Sequence, residues 1–415
     1  MARRRSRTQL LAALALAVAV AAAWSAVSLI ERPSVPVTSG GAAGPESLPS
    51  FPTQPSSDAI DNVRMFSRTD GWAERLIDGA ILHTNQGVKR WQLSTPATLE
   101  AVIAVAYVNS ETARALTLPA GASDQTVIQS WSTSDGGDTW RAQGTFAVES
   151  LSPDMVGSLD FTDPEHGWFS QIEQGPEITG TALFRTVDGG AHWSEVIQLG
   201  TTGLGGSPDG RGVASGCVEL TAVFISDTDG WITGTCAIGP PPLYVTHDGG
   251  LTWAEQNLPR SAGGLYSQTS FPPRFTSAED GTLITEDAAA APVSADLFST
   301  MNGGATWSLR HFGAGIPVGA DFLDADRGWL VIEAASGDPQ TPDLYATSDA
   351  GQSWSLLGAF PSPELDLDFL NATTGWASTN LDDFSGGTSY LLSTSDGGRS
   401  WTGLRPQISA ATTAG

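Results

Sequence analysis

The sequence predicts an all-β protein, a seven-bladed β-propeller whose blades close in a repeated turn box, preceded by an N-terminal transmembrane or signal helix. Three observations carry this reading. An eight-residue pattern, Thr-x-Asp-Gly-Gly-x-Thr-Trp, recurs along the body, a Phe followed by Gly-Trp precedes most copies, and the chain opens on arginines ahead of a long apolar run. A repeat near 50 residues fits one four-stranded blade with its connections.

The clear boxes run Thr133 to Trp140, Thr186 to Trp193, Thr246 to Trp253, Thr300 to Trp307, Thr347 to Trp354 and Thr394 to Trp401. A worn copy, Thr84 to Trp91, has Gln86 at the Asp position. Successive Asp positions are 49, 53, 60, 54, 47 and 47 residues apart. Each box reads as a tight hairpin. Asp135, Asp188, Asp248, Asn302, Asp349 and Asp396 accept hydrogen bonds from turn N–H groups, and the glycine pair permits φ > 0. Trp140, Trp193, Trp253, Trp307, Trp354 and Trp401 are expected to bury apolar surface against the next strand or blade, a structural role rather than a catalytic one.

The second motif pairs Phe66 with Gly71-Trp72, Phe161 with Gly167-Trp168, Phe224 with Gly230-Trp231, Phe322 with Gly328-Trp329 and Phe369 with Gly375-Trp376. Phe275 with Gly281-Thr282 has lost the Trp. Unit two lacks the signature, yet Leu99 to Val108 and Ala113 to Leu118 flank a turn at Asn109-Ser110 and read as a hairpin. Seven units span residues 58–410, which leaves no second domain in the folded body.

Ahead of the body stand Arg3, Arg4, Arg5 and Arg7, then an almost unbroken apolar run from Leu10 to Ile30. Its 21 residues suffice to cross a bilayer core of about 30 Å. An uncleaved anchor over residues 1–30 is expected, while Ala21-Ala22-Ala23 leaves signal cleavage open. The arginines hold the N-terminus inside in either case, so the propeller lies on the extracytoplasmic side. Residues 31–57 are rich in Pro, Ser and Gly and read as a flexible linker. The net charge of −25 opposes binding to nucleic acid or anionic lipid headgroups.

Cys217 and Cys236 flank a hairpin turning at Ser226-Asp227-Thr228-Asp229, which places them nearly opposite each other. Outside the cytoplasm such a pair reads as a disulfide rather than a zinc site, with a free or redox-active pair as the alternative. His83, His192 and His247 belong to boxes and His166 to a Gly-Trp turn, so the histidines form no metal set. No cofactor is expected.

The box together with the upstream Gly-Trp resembles the BNR or Asp-box propellers over essentially the whole body. Within them the paired signature is similar to the photosystem II assembly and stability factor type, which implies an extracytoplasmic, seven-bladed protein that binds partner proteins. Sialidases and xyloglucanases share the box, so the motif is specific for fold and not for function. Tyr244 and Tyr345 precede boxes where Phe184 and Phe298 stand in other blades, which makes them packing residues rather than a sialidase nucleophile. No Arg-Ile-Pro-type motif opens the first blade.

In a propeller the turn after the inner strand and the box turn share one face. The variable loops on the other face hold Glu173, Glu177, Asp209, Glu286, Asp287, Asp338, Asp343, Asp382 and Asp383. They are expected to form an acidic rim for a basic segment of a partner or a divalent cation. The resulting reading is a non-catalytic binding scaffold of the cell envelope, membrane-bound through its N-terminal helix and serving a protein partner. The alternative is a secreted or anchored glycoside hydrolase acting on a glycan through two carboxylates.

Overall fold

The Phe and the Gly of the second motif face each other across the innermost hairpin of a blade. Backbone register pairs Phe161 with Gly167, Phe224 with Gly230, Phe275 with Gly281, Phe322 with Gly328 and Phe369 with Gly375. A Cβ on any of these glycines would lie between 2.3 and 2.7 Å from the phenyl ring, so only glycine lets the ring lie flat across the neighbouring strand. Register also corrects the assignment in blade 1. Met65, not Phe66, stands opposite Gly71, and its sulfur is the atom that a Cβ there would meet. The spacing of six holds in every blade, and in blade 2 it selects Tyr107 opposite Ala113.

A computed structural model describes residues 37–39, 58–95, 101–118, 127–148, 155–173, 180–200, 217–236, 243–259, 269–287, 292–334, 342–360, 365–380 and 389–410. The inner strands of the seven blades are Ile60–Met65, Val102–Tyr107, Met155–Phe161, Cys217–Phe224, Arg274–Phe275, Ile316–Phe322 and Leu365–Phe369. Each pairs antiparallel with the Gly-Trp strand or its equivalent, and the third and fourth strands follow as hairpins. The inner strand of the last blade packs against that of the first, which closes the ring. Gln407–Ser409 then adds a parallel fifth strand outside Arg90–Leu93 of blade 1. Thr269–Ser270 bridges blades 4 and 5 into one sheet, where Pro272 and Pro273, lacking N–H groups, leave blade 5 an inner strand of two residues.

Residues 1–30 lie outside the described residues, and among the described residues no helix is long and apolar enough to cross a membrane. Inside the segment read as a linker, Val37–Ser39 forms a parallel strand along Trp354–Ala359, the outer strand of blade 6. Cys217 and Cys236 are direct partners in the register of blade 4.

The boxes follow one hydrogen-bond plan. In blade 2, Thr133 Oγ1 donates to Asp135 Oδ1 (2.8 Å), the Gly137 N–H donates to Thr133 Oγ1 (3.1 Å), and the Thr139 N–H donates to Asp135 Oδ1 (2.9 Å). Blades 3 to 7 repeat it, with Asn302 substituting in blade 5. The residue after each Asp position also donates its N–H to the preceding turn of the same blade, as from Gly136 to Glu111, Gly249 to Thr228 and Gly397 to Thr373. Hence box and turn are laced together on one face. The box tryptophans reach backwards as well as within their own turn: Trp140 Nε1 donates to the Ser94 carbonyl of blade 1 and Trp307 Nε1 to Gln256 of blade 4.

The tryptophans of the Gly-Trp strands face forwards. Trp168 stacks on Phe224 of the next blade with centroids 3.8 Å apart, Trp329 on Phe369 at 3.5 Å, Trp231 on Phe275 at 4.5 Å and Trp72 on Tyr107 at 5.6 Å. Blade 2 carries Arg114 at that position, and its guanidinium lies 5.4 Å from the Phe161 ring centroid. Trp376 closes the ring against a cluster that includes Met65. A buried Trp removes about 150–250 Å² from water, or about 4–6 kcal/mol before entropy is counted.

Candidate binding face

Strand direction separates the two ends of the propeller. Each inner strand runs toward the laced turn-and-box face, so its first residues and the last residues of the Gly-Trp strand lie at the variable-loop end. The box carboxyls and the strand-end carboxyls of the variable-loop end shift in opposite directions, whereas Asp78, in the turn after Gly71–Arg75 at the variable-loop end, is held below the ordinary range by its hydrogen bonds from Arg75. At the box face, burial pulls Asp135, Asp188, Asp248, Asp349 and Asp396 upward, but hydrogen bonds from the residue four positions on and from the box Thr outweigh it, and all five sit below the ordinary range.

At the variable-loop end, Glu74, Glu286, Glu333 and Asp343 are all raised, each mainly by burial. Hydrogen bonds from Asn62 to Glu74 and from Tyr345 to Asp343 offset part of the burial at those two. Asp366, near the start of the last inner strand, is pushed up to about 7 by burial and then by the Asp61 carboxyl, with Arg274 opposing and Asp368 and Asp321 adding. Its side chain is nonetheless reached by solvent. Neighbouring protein and like charge act together on it, and solvent access limits how much of the shift burial can supply.

Deeper along the inner strands lies an arc of charge across blades 5, 6, 7 and 1. Arg274 Nη1 is 3.0 Å from Asp321 Oδ1 and donates to the Ala320 carbonyl (2.7 Å), while Asp321 Oδ2 accepts the Phe369 N–H (2.7 Å). Asp368 takes Arg64 Nη1 (2.8 Å) on one oxygen and the Met65 N–H (2.7 Å) on the other. Asp160 accepts the Phe224 N–H in the same manner (3.1 Å). These carboxyls stitch consecutive inner strands and are structural. Sequence reasoning passed over them, although each is the Asp of an Asp-Phe dipeptide at the end of an inner strand.

Of the nine residues expected in the acidic rim, Glu286 and Asp343 stand half-buried at strand ends on the variable-loop face. Glu173 and Asp287 end the Gly-Trp-type strands of blades 3 and 5 at that same face. Glu177, Asp209, Asp338, Asp382 and Asp383 lie outside the described residues. Glu74, Glu333 and Asp366 share the rim and were not foreseen. Among the described residues no three His, Cys, Asp or Glu side chains are placed to hold a metal ion.

Two cavities are notable. A polar cleft of about 420 Å³ at the worn box is lined by His83, Gln86, Arg90, Asp135 and Asp138 among others. An apolar one of about 340 Å³ lies between blades 5 and 6.

No family model matches the chain, and no curated protein matches it. Solved propellers do. The xyloglucanase of Xanthomonas campestris superposes with a TM-score of 0.51 at 14% identity, over 86% of this chain and 56% of that one. YCF48 from Cyanidioschyzon merolae gives 0.44 at 15%, over 74% and 85%. A structure of YCF48 bound to D1 peptide gives 0.43 at 15%, over 88% and 97%. The likeness is one of fold. The match to the xyloglucanase bears out the propeller fold, and the peptide and the xyloglucan activity belong to those proteins.

Proposed function

We propose that the protein is a non-catalytic extracytoplasmic scaffold, tethered through its N-terminal segment, that binds a cationic segment of an envelope protein at the variable-loop end of the propeller. The observation supporting this reading is the set of raised carboxyls there, Glu74, Glu286, Glu333, Asp343 and Asp366. Each gains from an approaching cation, whereas the box carboxyls are already satisfied by their own turns. The test is an affinity capture from detergent-solubilised membranes with the full chain beside a Glu333→Arg, Asp343→Arg variant of unchanged Tm. The expected result is one envelope protein recovered by the unaltered chain and at least tenfold less by the variant. Recovery that survives charge reversal would sink the reading.

One observation favours the glycoside hydrolase as a second reading. Asp366, raised to about 7 with the Asp61 carboxyl among its neighbours, has the protonation that a general acid needs near neutral pH. Hydrolysis of any member of a glycan panel, abolished by Asp366→Asn, would establish it.

A further inference from the structure

The ring of blade junctions is filled at six places and open at one. At five junctions a tryptophan or an arginine from the Gly-Trp strand covers the aromatic ring of the following blade, and at the sixth Trp376 packs with Met65. Between blades 5 and 6 the covering residue is Thr282, and among the described residues no ring or cation lies over Phe322. The apolar cavity of about 340 Å³ opens there, walled by Thr282, Ile284 and Pro272 on one side and by Phe322, Ala320 and Pro317 on the other. Phe271, one of the few exposed large apolar residues, lines the same cavity.

We infer that this cavity receives an aromatic side chain, of the indole class, from the partner protein. The chain itself shows what the space is shaped for. Four equivalent positions hold a Trp over a Phe or Tyr, with planes within 1° to 25° of parallel. A bare Phe face in an apolar slot excludes polar ligands and rewards a flat ring, by area burial and by stacking. Arg274, held at the slot by Asp321 and the Ala320 carbonyl, adds a cation at the rim of the same space. The slot runs along the inner strand from Pro317, near the variable-loop end, to Phe322 at its box end, so a segment held by the acidic rim reaches the Phe322 face by following that strand. This inference rests on the scaffold reading.

The experiment uses 5-fluoroindole as probe, followed by fluorine NMR against the full chain in detergent. Thr282→Trp restores the repeat and fills the slot, so saturable probe binding by the unaltered chain is expected to weaken at least tenfold. Phe322→Leu removes the stacking face without filling the space, covers the case in which Thr282→Trp fails to fold, and is expected to weaken binding several-fold. Probe affinity within twofold of the unaltered chain in both variants overturns the proposal. In the capture experiment, Thr282→Trp is expected to reduce partner recovery at least tenfold. Lost probe binding with unchanged partner recovery overturns the partner assignment and leaves the scaffold reading intact. Probe binding with no partner recovered by the unaltered chain instead fails the scaffold reading, and the partner assignment falls with it.

Discussion

The two faces of the propeller use the same group, the carboxyl, to opposite ends. On the box face each Asp accepts two or three donors from its own eight-residue turn, so its charge is solvated by the protein and it sits below its ordinary range. On the variable-loop face the strand-end carboxyls Glu333 and Asp343 are raised mainly by burial, Asp343 against a hydrogen bond from Tyr345, while Asp78 in a turn there is held down by Arg75. Local sequence builds the first environment and the ring as a whole builds the second. A face that satisfies its own charges can hold a fold together, and a face that does not has free energy left to spend on a ligand.

The largest effect that would sharpen this contrast concerns how the variable-loop face is held without boxes. Cys217 and Cys236 are register partners at that end of blade 4. A disulfide between them would contribute about 2–4 kcal/mol. Non-reducing mass spectrometry after alkylation should find no label on either residue, and reduction should lower the Tm while leaving the box hydrogen bonds protected from exchange. Two labelled thiols in protein purified from the extracytoplasmic side would break the expectation.

Opposite pKa shifts give opposite pH slopes. For the box carboxyls the folded pKa lies below the unfolded value near 3.8, so their contribution is present above about pH 4 and is lost as pH falls through the folded value. For Asp366 the folded value is about 7, so its contribution is full below about pH 4 and is lost as pH rises toward 7. Calorimetry from pH 3 to 8 should therefore show Asp366→Asn gaining Tm relative to the unaltered chain as pH rises through 5 to 8. Asp248→Asn should instead flatten the acid limb. Parallel curves for Asp366→Asn and the unaltered chain would mean that the Asp366 carboxyl is not held near neutrality.

Legibility in the sequence divides along the same line. The boxes were readable because the Asp, its Thr and the donors to the Asp lie within four residues of one another, and the seven-fold period then fixed the fold. Met65 and Tyr107 were missed since the motif was sought as a residue type, whereas the structure enforces a spacing of six across the hairpin. The loss of Trp at Thr282 was visible, but its consequence was not, because the ring it should cover belongs to Phe322, in the next blade. Asp366 gave no signal at all. Its neighbours Asp61 and Asp321 come from blades 1 and 6, on either side of its own blade 7.

The smallest effect tests whether a box is as self-sufficient as the comparison makes it. In blade 6 the first glycine of the box is replaced by Ala350, which keeps the left-handed conformation of its counterparts (φ 58°, against 74° at Gly249 and 78° at Gly397). It also keeps the hydrogen bond, its N–H donating to the Asp326 carbonyl at 2.9 Å. The turn therefore imposes its backbone on a residue that pays about 1–2 kcal/mol to adopt it, against about 0.5–1 kcal/mol by which alanine restricts the unfolded chain. Ala350→Gly should raise stability by up to about 1 kcal/mol in chemical denaturation. The reverse change at Gly249 should lower it by more, since a Cβ there would meet the Asp227 carbonyl at 2.8 Å and the Arg185 guanidinium at 2.6 Å. A loss of stability in Ala350→Gly would show that the blade 6 box is held by its surroundings, Val37–Ser39 on the outer strand among them, rather than by its own eight residues.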